Sequence, residues 1–253
     1  MAQPNQDTMV LPQLNEEFPW DSFDPEWYLN HNYGTLRDDD EKILERLAEF
    51  FSGLDQAHLR HGLDVGTGTN LYPVLAMLPL CGRITLHERA KTNCRWLHNE
   101  TAKYSEVWEP YWEVLAERAF YARIGDPRWA VHERTRVNRG SIFDLPKDTY
   151  DIGTMFFVAE SITTRDDEFT RALRCFLRSL KPNAPFAATF MTNSTGYDVN
   201  GVHFPAVAIT EDDVRKCLDG EGIRKSTFEK IDSESPLRPE VGMVLVTGRV
   251  ARR

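Results

Sequence analysis

Cysteine is scarce in this chain of 253 residues, which contains four widely separated cysteines. They are Cys81, Cys94, Cys175 and Cys217. None belongs to a C-x-x-C pair or stands at a zinc-type spacing from a histidine, so the sequence predicts neither a disulfide framework nor a metal site. This cysteine usage favours a reducing compartment, and we expect a cytoplasmic protein.

Long apolar runs and clusters of basic residues are also missing. No segment approaches the length that crosses a bilayer, and the polar, acidic N-terminus lacks the apolar core of a secretion signal. With 30 Lys and Arg against 39 Asp and Glu, the formal net charge is −9. Such a charge disfavours binding to nucleic acid or to an anionic membrane, so we expect neither partner.

The length of the chain suits one domain, with or without a lid. Residues 1–22 are polar and interrupted by proline, and we interpret them as a flexible arm outside the core. Residues 23–253 are expected to form a single domain. Within it we expect lid helices over 23–52, where apolar side chains recur at helical spacing, and a helical insertion over 105–130.

Strand patterns alternate with helix patterns along the rest of the chain. Strands are expected near 62–65, 83–88, 134–138, 150–158, 185–191, 228–231 and 243–250. Such alternation predicts a doubly wound, Rossmann-like α/β fold with a mostly parallel sheet of seven strands. Only a loop joins the last two strands, so the last strand must be antiparallel. The stretch between the fifth strand and a helix capped by Thr210 is expected to be irregular.

A glycine loop follows the first strand. Residues 64–68 read D-V-G-T-G and lead into a helix, which lets a ligand approach the backbone closely. A dinucleotide site would need a third glycine where Leu71 stands, whereas a loop for S-adenosylmethionine needs an acidic residue two positions before the first glycine, as Asp64 is. Glu88 ends the second strand and can accept both ribose hydroxyls, a device that NAD proteins share. The pattern favours S-adenosylmethionine over NAD.

Several motifs in the same order resemble the nicotinamide, phenylethanolamine and thioether (indolethylamine) methyltransferase family. Residues 23–33 are similar to its F-x-P-x-x-Y-L-x-x-x-Y signature, residues 64–72 to its D-I/V-G-S/T-G-x-T-I/L-Y loop, and W-E-P at 108–110 to its aromatic insertion. The resemblance spans Phe23 to Val250. It implies a class I S-adenosylmethionine-dependent methyltransferase, monomeric or homodimeric, that releases S-adenosylhomocysteine.

The implied reaction is methyl transfer to a small molecule, with the nitrogen of an amine or N-heterocycle as the expected acceptor. Displacement at a sulfonium depends mainly on positioning and exclusion of water, which an aromatic lid favours. Transfer to oxygen or sulfur stays open, as does a regulatory protein that binds the cofactor without catalysis. A nicotinamide-dependent oxidoreductase is disfavoured by Leu71.

The resemblance also implies which residues bind the cofactor. Those expected in the lid, in the glycine loop and at the ribose are Tyr28, Tyr33, Asp64, Gly66, Thr67, Gly68, Tyr72, Glu88 and Asn93. Those expected beside the adenine or along the methyl-transfer cavity are Ser141, Ile142, Phe156 and Phe157. The family usually has an aspartate where Ser141 stands, so the contact to the adenine amine lacks its usual partner.

Fewer residues are implied on the acceptor side. Glu160 aligns with an acidic residue near the accepting nitrogen, and we expect Glu160 and Tyr33 to be catalytic. Residues expected to bind the acceptor are Glu160, Asn193, Tyr197 and His203. Met191 stands where relatives have an aspartate, so we expect the acceptor to differ from nicotinamide.

Overall fold

The computed structural model describes residues 13–55, 59–223, 225–234, 236, 238–239 and 241–251. Its strands are β1 His61–Val65, β2 Arg83–Glu88, β3 Thr135–Arg139, β4 Ile152–Phe156, β5 Pro185–Thr192, β6 Gly196–Val199, β7 Val202–Pro205, β8 Ser226–Ile231 and β9 Gly242–Arg249. Its α-helices are α1 Pro25–Asn32, α2 Asp38–Ser52, α3 Tyr72–Met77, α4 Lys91–Lys103, α5 Glu109–Ala116, α6 Ala119–Ala122, α7 Pro127–Arg134, α8 Asp166–Ser179 and α9 Glu211–Gly220.

Seven of these strands form one sheet in the order β3-β2-β1-β4-β5-β9-β8. β9 runs antiparallel to both of its neighbours, and the other six strands share one direction. The expected doubly wound α/β fold, including the antiparallel last strand, is therefore confirmed. Within the described part of the chain, no helix has both the length and the apolar character needed to cross a membrane.

The sheet buries apolar side chains on both faces, because successive residues of a strand point to opposite sides. Leu63 and Val65 of β1 belong to a cluster with apolar residues of α8 and α9. Ile84 and Leu86 of β2 belong to a second cluster with residues of α2, α3 and α5. On α8, Phe169, Leu173 and Phe176 are buried while arginines line the outer side, which is the amphipathic pattern of a helix packed on a sheet.

The expectation of a free arm is wrong for residues 13–22, which are hydrogen-bonded to the domain. Asn15 is buried, where its backbone N–H donates to Glu168 Oε2 (2.7 Å) and its amide donates to the Ile162 carbonyl (3.0 Å). The indole of Trp20 donates to the Asn15 carbonyl (2.7 Å). A polar segment can be buried in this way because its hydrogen bonds are satisfied within the protein. The rest of the expected arm, residues 1–12, lies outside the described residues.

The expected irregular stretch after β5 is also wrong, because β6 and β7 form an antiparallel hairpin there. Two residues, Asn200 and Gly201, connect the strands with φ of +47° and +80°. Asn-Gly is the preferred pair for a two-residue hairpin turn in which both residues have positive φ. Beyond the hairpin, Thr210 caps α9 as expected, with its hydroxyl accepting from the Asp213 N–H.

Candidate active site

A cavity opens at the carboxyl ends of the central parallel strands. Gly66 follows β1, Glu88 ends β2, Gly140 follows β3 and Phe157 follows β4, and all four line it. The chain runs from β1 through β2 to β3 on one side and then returns to β4 on the other side of β1, so this is the switch point where open α/β sheets bind ligands.

The glycine loop is shaped by two left-handed residues, Gly66 (φ +62°) and Gly68 (φ +56°). A Cβ on Gly66 would lie 2.6 and 2.7 Å from the two methyl carbons of Val158, so no larger residue fits there without displacing the opposite wall. A Cβ on Gly68 would make only an ordinary contact, 3.6 Å from the Gly66 carbonyl oxygen, and the Gly68 N–H donates to Glu88 Oε2 (2.8 Å). The loop thus brings bare backbone to the cavity surface.

Glu88 and Asn93 form a polar corner of the cavity. The second carboxylate oxygen of Glu88 accepts from the Ala90 N–H (2.7 Å), so backbone donors fix both oxygens. Burial raises the pKa of Glu88, and these hydrogen bonds oppose the rise. Asn93 lies beside it with a buried amide oxygen that has no partner among the described residues. Carboxylate and amide oxygens in this corner suit a ligand that carries hydroxyl donors.

Three tyrosines close the cavity from the lid side. The ring of Tyr28 lies 6.2 Å from those of both Tyr33 and Tyr197, between centroids. Burial raises the pKa of all three phenols, so their hydroxyls stay protonated at neutral pH. The loop before α2 and the lid helix α1 are held in place from below, where the Tyr111 hydroxyl donates to the carbonyls of Tyr33 (3.2 Å) and Thr35 (3.3 Å).

Phe157 has an unusual backbone for a bulky side chain, with φ of +58°. Its N–H donates to the Thr189 carbonyl (2.9 Å), so β5 holds it in this conformation. Strained residues of this kind persist where the surrounding structure fixes them, and they concentrate at functional sites. Here the conformation places Phe157 in the wall of the cavity.

A second chamber lies on the other side of this wall. Residues from the lid, from β5 and from the segment before β9 line it: Tyr28, Asn32, Tyr33, Arg37, Asp39, Asp40, Phe157, Met191, Pro236, Arg238, Val241 and Met243. Tyr28, Tyr33 and Phe157 line both compartments. The site therefore consists of two compartments that share an aromatic wall.

Most of the predicted cofactor residues line the first cavity. Those that do are Tyr28, Tyr33, Gly66, Thr67, Gly68, Glu88, Asn93, Ile142, Phe156 and Phe157. Asp64, Tyr72 and Ser141 do not. Asp64 is buried beneath the loop and accepts from the Thr154 hydroxyl (2.5 Å), and burial raises its pKa to about 7. Tyr72 stacks on Tyr111 in the core, at 5.8 Å between centroids.

Ser141 lies just outside the cavity that it was expected to line. Its hydroxyl accepts from the Phe143 N–H (3.3 Å) and so caps the short helix that carries Ile142. Its carbonyl bonds the His87 ring (3.1 Å). Ser141 thus positions Ile142, whose side chain is in the cavity wall.

Of the residues expected to bind the acceptor, Tyr197 lines the first cavity and not the second chamber. Along the hairpin, Tyr197 pairs with Phe204 and faces inward, so the intervening register turns His203 outward, where it contacts Asp198 (3.1 Å). Asn193 is exposed, with φ of +62°. The expectation that Asn193 and His203 line the acceptor space is wrong for this reason.

Glu160 is completely buried and lines neither compartment. Its Oε1 accepts from the Met191 N–H (2.8 Å), whereas Oε2 has no partner among the described residues. Burial raises its pKa to about 7, and the nearby Arg238 opposes this rise. Glu160 thus accepts a hydrogen bond from the end of β5, and its charge acts on Tyr28 of the aromatic wall.

Sequence reasoning missed several lining residues. Asn15 and Trp20 reach the first cavity from the segment interpreted as an arm, and Arg238 reaches the second from a loop without a recognisable pattern. Asp39 and Asp40 belong to a run of acidic residues that opens α2, which is usual at a helix N-terminus and therefore carried no functional signal.

Comparisons with known proteins agree with this geometry. A sequence profile of the NNMT/PNMT/TEMT family matches residues 13–249. No curated protein matches the chain. A SAM-dependent methyltransferase of Leishmania major is 14% identical with a TM-score of 0.55, and the match covers 90% of this chain and 79% of that one.

Two further solved structures share the fold. The 1,6-didemethyltoxoflavin-N1-methyltransferase of Burkholderia thailandensis, solved with bound 1,6-didemethyltoxoflavin and S-adenosylhomocysteine, is 14% identical with a TM-score of 0.51 over 85% of this chain and 79% of that one. The cyclase SpnF is 15% identical with a TM-score of 0.51 over 83% and 81%. Because a cyclase has this fold too, the fold alone does not decide the reaction.

Proposed function

Because this chain belongs to the NNMT/PNMT/TEMT family of S-adenosylmethionine-dependent methyltransferases, we propose that it transfers a methyl group to the nitrogen of a small amine or N-heterocycle. The observation that carries the proposal is the aromatic wall. Tyr28, Tyr33 and Phe157 line both a cavity at the glycine loop and a second chamber beyond it. Transfer would require the two compartments to join between these three side chains, so that the nitrogen reaches the methyl carbon directly.

The first cavity fits the cofactor. Glu88 and the unpartnered Asn93 oxygen would take the ribose hydroxyls, Gly66 and Gly68 leave room against the loop backbone, and Ile142 would pack on the adenine. When bound there, S-adenosylmethionine supplies an electrophilic methyl group on a sulfonium. Aromatic faces favour a cation, so the shared wall suits the charged side of that group.

The chain's own contribution is positioning and exclusion of water. The lid holds the acceptor against the wall, and the accepting nitrogen offers its lone pair to the methyl carbon as the methyl–sulfur bond breaks and its electron pair stays on sulfur. Carboxyl groups are available to handle the proton of an ammonium acceptor, since Asp40 lines the chamber and Glu160 lies behind it. These groups favour nitrogen over a thioether sulfur, which has no proton to lose.

The test is a panel of amines, N-heterocycles, phenols and thiols incubated with methyl-labelled cofactor, with product mass read for each. We expect label on amines or N-heterocycles. Val241→Trp, which would fill the second chamber, should abolish labelling while the protein still binds S-adenosylhomocysteine. Ala208→Trp, at an exposed position that lines neither compartment, is the matched control and should keep full activity.

The labelling panel, together with binding measurements for S-adenosylhomocysteine and NAD, distinguishes the alternatives. If only phenols or thiols gained label, the accepting atom would be oxygen or sulfur and not nitrogen. Binding of S-adenosylhomocysteine without labelling of any acceptor would favour a regulatory protein. Tight binding of NAD without binding of S-adenosylhomocysteine would refute the cofactor assignment.

A further inference from the structure

The second chamber contains one arginine and one aspartate that form no salt bridge within 4.0 Å with any described residue. Its charged lining residues are Arg37, Asp39, Asp40 and Arg238. Arg37 and Asp39 form an ion pair (3.4 Å, Nε to Oδ1) and largely cancel each other. Asp40 and Arg238 are left to select what enters the chamber.

Arg238 lacks an anionic partner in the described part of the chain. Its guanidinium contacts the Met191 sulfur (2.7 Å), the Gly196 carbonyl (3.4 Å) and the Ser194 hydroxyl (3.5 Å). A thioether is a weak acceptor, and the two oxygens are at the limit of hydrogen bonding. Glu160 feels the charge of Arg238, but no described carboxylate lies within 4.0 Å of the guanidinium. A half-buried guanidinium in such surroundings is suited to a carboxylate, which it binds through two parallel hydrogen bonds.

Asp40 lies at the aromatic wall. It is buried in the first turn of α2 and lines the second chamber together with Tyr28 and Tyr33, and its charge raises the pKa of both phenols. Burial, together with the charge of Asp39, raises the pKa of Asp40 to about 8, and the nearby Tyr72 hydroxyl and the charge of Arg37 partly oppose the rise. A buried carboxyl in this position is a partner for an amine rather than for an anion.

We propose that the acceptor is a zwitterion with an amino group and a carboxylate, such as an α-amino acid, whose carboxylate pairs with Arg238 and whose nitrogen faces Asp40 at the aromatic wall. The inference rests on the proposed function for the identity of the chamber as the acceptor site. Arg238 approaches from the β5 and hairpin side, whereas Asp40 adjoins Tyr33. Both groups act electrostatically on Tyr28, so a ligand paired with them would lie beside the aromatic wall.

The proton balance gives the arrangement a second signature. In the free protein at pH 7 Asp40 carries a proton, and the free ligand is an ammonium. Bringing the two together leaves one proton to be shared between the nitrogen and an Asp40 oxygen, so the other proton goes to solvent. When the shared proton is on Asp40, the N–H bond has broken and the nitrogen holds the free electron pair that the transfer requires.

Binding is the decisive measurement, made by calorimetry on the whole protein saturated with S-adenosylhomocysteine. The ligands are pairs that differ only in the carboxylate: histidine and histamine, tyrosine and tyramine, tryptophan and tryptamine. For at least one pair we expect the amino acid to bind at least about tenfold more tightly. Arg238→Met should lower the affinity for that amino acid by about ten- to a hundredfold and leave the affinity for the amine unchanged. Arg238→Lys should lower the affinity for the amino acid less.

Two controls make the result specific. Arg249→Met removes an exposed arginine at the opposite end of β9 and should change no affinity. In buffers of different ionisation enthalpy, the wild type should release about one proton per ligand at pH 7, and Asp40→Asn should release none. Unchanged unfolding midpoints would show that the variants fold.

The outcomes separate this inference from the proposed function. The zwitterion proposal would be overturned if amino acids and amines bound equally, or if no amino acid bound. It would also be overturned if a phosphorylated amine such as phosphoethanolamine bound more tightly, or if Arg238→Met and Arg249→Met lost equal affinity. Methyl transfer to carboxylate-free amines alone would also overturn it and leave the proposed function intact. Arg238-dependent binding of an amino acid that never gains a methyl group would instead contradict the proposed function.

Discussion

Replacing Glu160 by glutamine removes a carboxyl group that is completely buried and whose pKa rises from 4.5 to about 7 in the folded protein. That rise corresponds to about 3 kcal/mol, since each tenfold change in acid dissociation is worth about 1.4 kcal/mol. The folded protein binds this proton more tightly than the unfolded chain does. The stabilisation is therefore complete below pH 4.5 and is lost as the pH rises to about 7. Glutamine cannot ionise, so the variant should escape this loss.

The assay is urea unfolding of wild type and Glu160→Gln at pH 5 and pH 8. Relative to the wild type, the variant's free energy of unfolding should increase by about 2–3 kcal/mol between the two pH values. Asp40 and Asp64 also have raised pKa values, but they are present in both proteins and cancel in the difference. Glu113→Gln, which changes an exposed carboxylate of α5, should shift by less than about 0.5 kcal/mol. A pH-independent difference for Glu160→Gln would refute the reasoning.

Three further predictions concern the site. Gly66→Ala combines a positive φ with a Cβ 2.6 Å from Val158, so it should lose at least about tenfold in affinity for S-adenosylhomocysteine and about 2–3 kcal/mol of stability. Gly68→Ala has the positive φ without a clash, since its Cβ would lie 3.6 Å from the Gly66 carbonyl oxygen, so it should lose about 1 kcal/mol and keep most of its affinity. His203→Ala and Asn193→Ala should leave kcat/KM for any acceptor within about twofold, because both side chains are exposed; a tenfold drop would restore them to the site. Met191→Asp should place a carboxylate beside Arg238 and weaken binding of an amino acid at least about tenfold without weakening its decarboxylated amine, which calorimetry would show.

The fold was predictable because its signals are local. Strands buried on both faces form apolar runs of four to eight residues, and helices such as α8 repeat apolar side chains every three or four residues. Parallel strands in addition require crossover connections, which here are helical. The glycine loop was predictable for a similar reason: only glycine tolerates the backbone that Gly66 adopts against Val158. The hairpin turn at Asn200 and Gly201 carried an equally clear signal, which the interpretation as an irregular stretch overlooked.

The remaining features depend on contacts between distant parts of the chain. Asn15 is buried only because Glu168, more than 150 positions away, accepts its N–H. The positive φ of Phe157 is imposed by β5 through the Thr189 carbonyl, and nothing in the sequence around Phe157 distinguishes it from an ordinary strand residue. Asp40 looks like one more acidic residue at a helix N-terminus until the fold places it against the lid tyrosines. Residues of this kind become recognisable only when the packing is known.

The methionine at position 191 and the charge of Arg238 are best understood together. The sulfur of Met191 lies against the guanidinium (2.7 Å), so an aspartate at this position would sit within ion-pair distance and neutralise the arginine from inside the protein. Methionine fills the same space without charge, and the described surroundings then offer Arg238 only a carbonyl and a hydroxyl at 3.4 and 3.5 Å. Keeping a cation without an anionic partner at a half-buried position is unfavourable in the free protein. A ligand that brings its own carboxylate recovers that free energy on binding, so methionine at position 191 leaves the pairing of Arg238 to the acceptor.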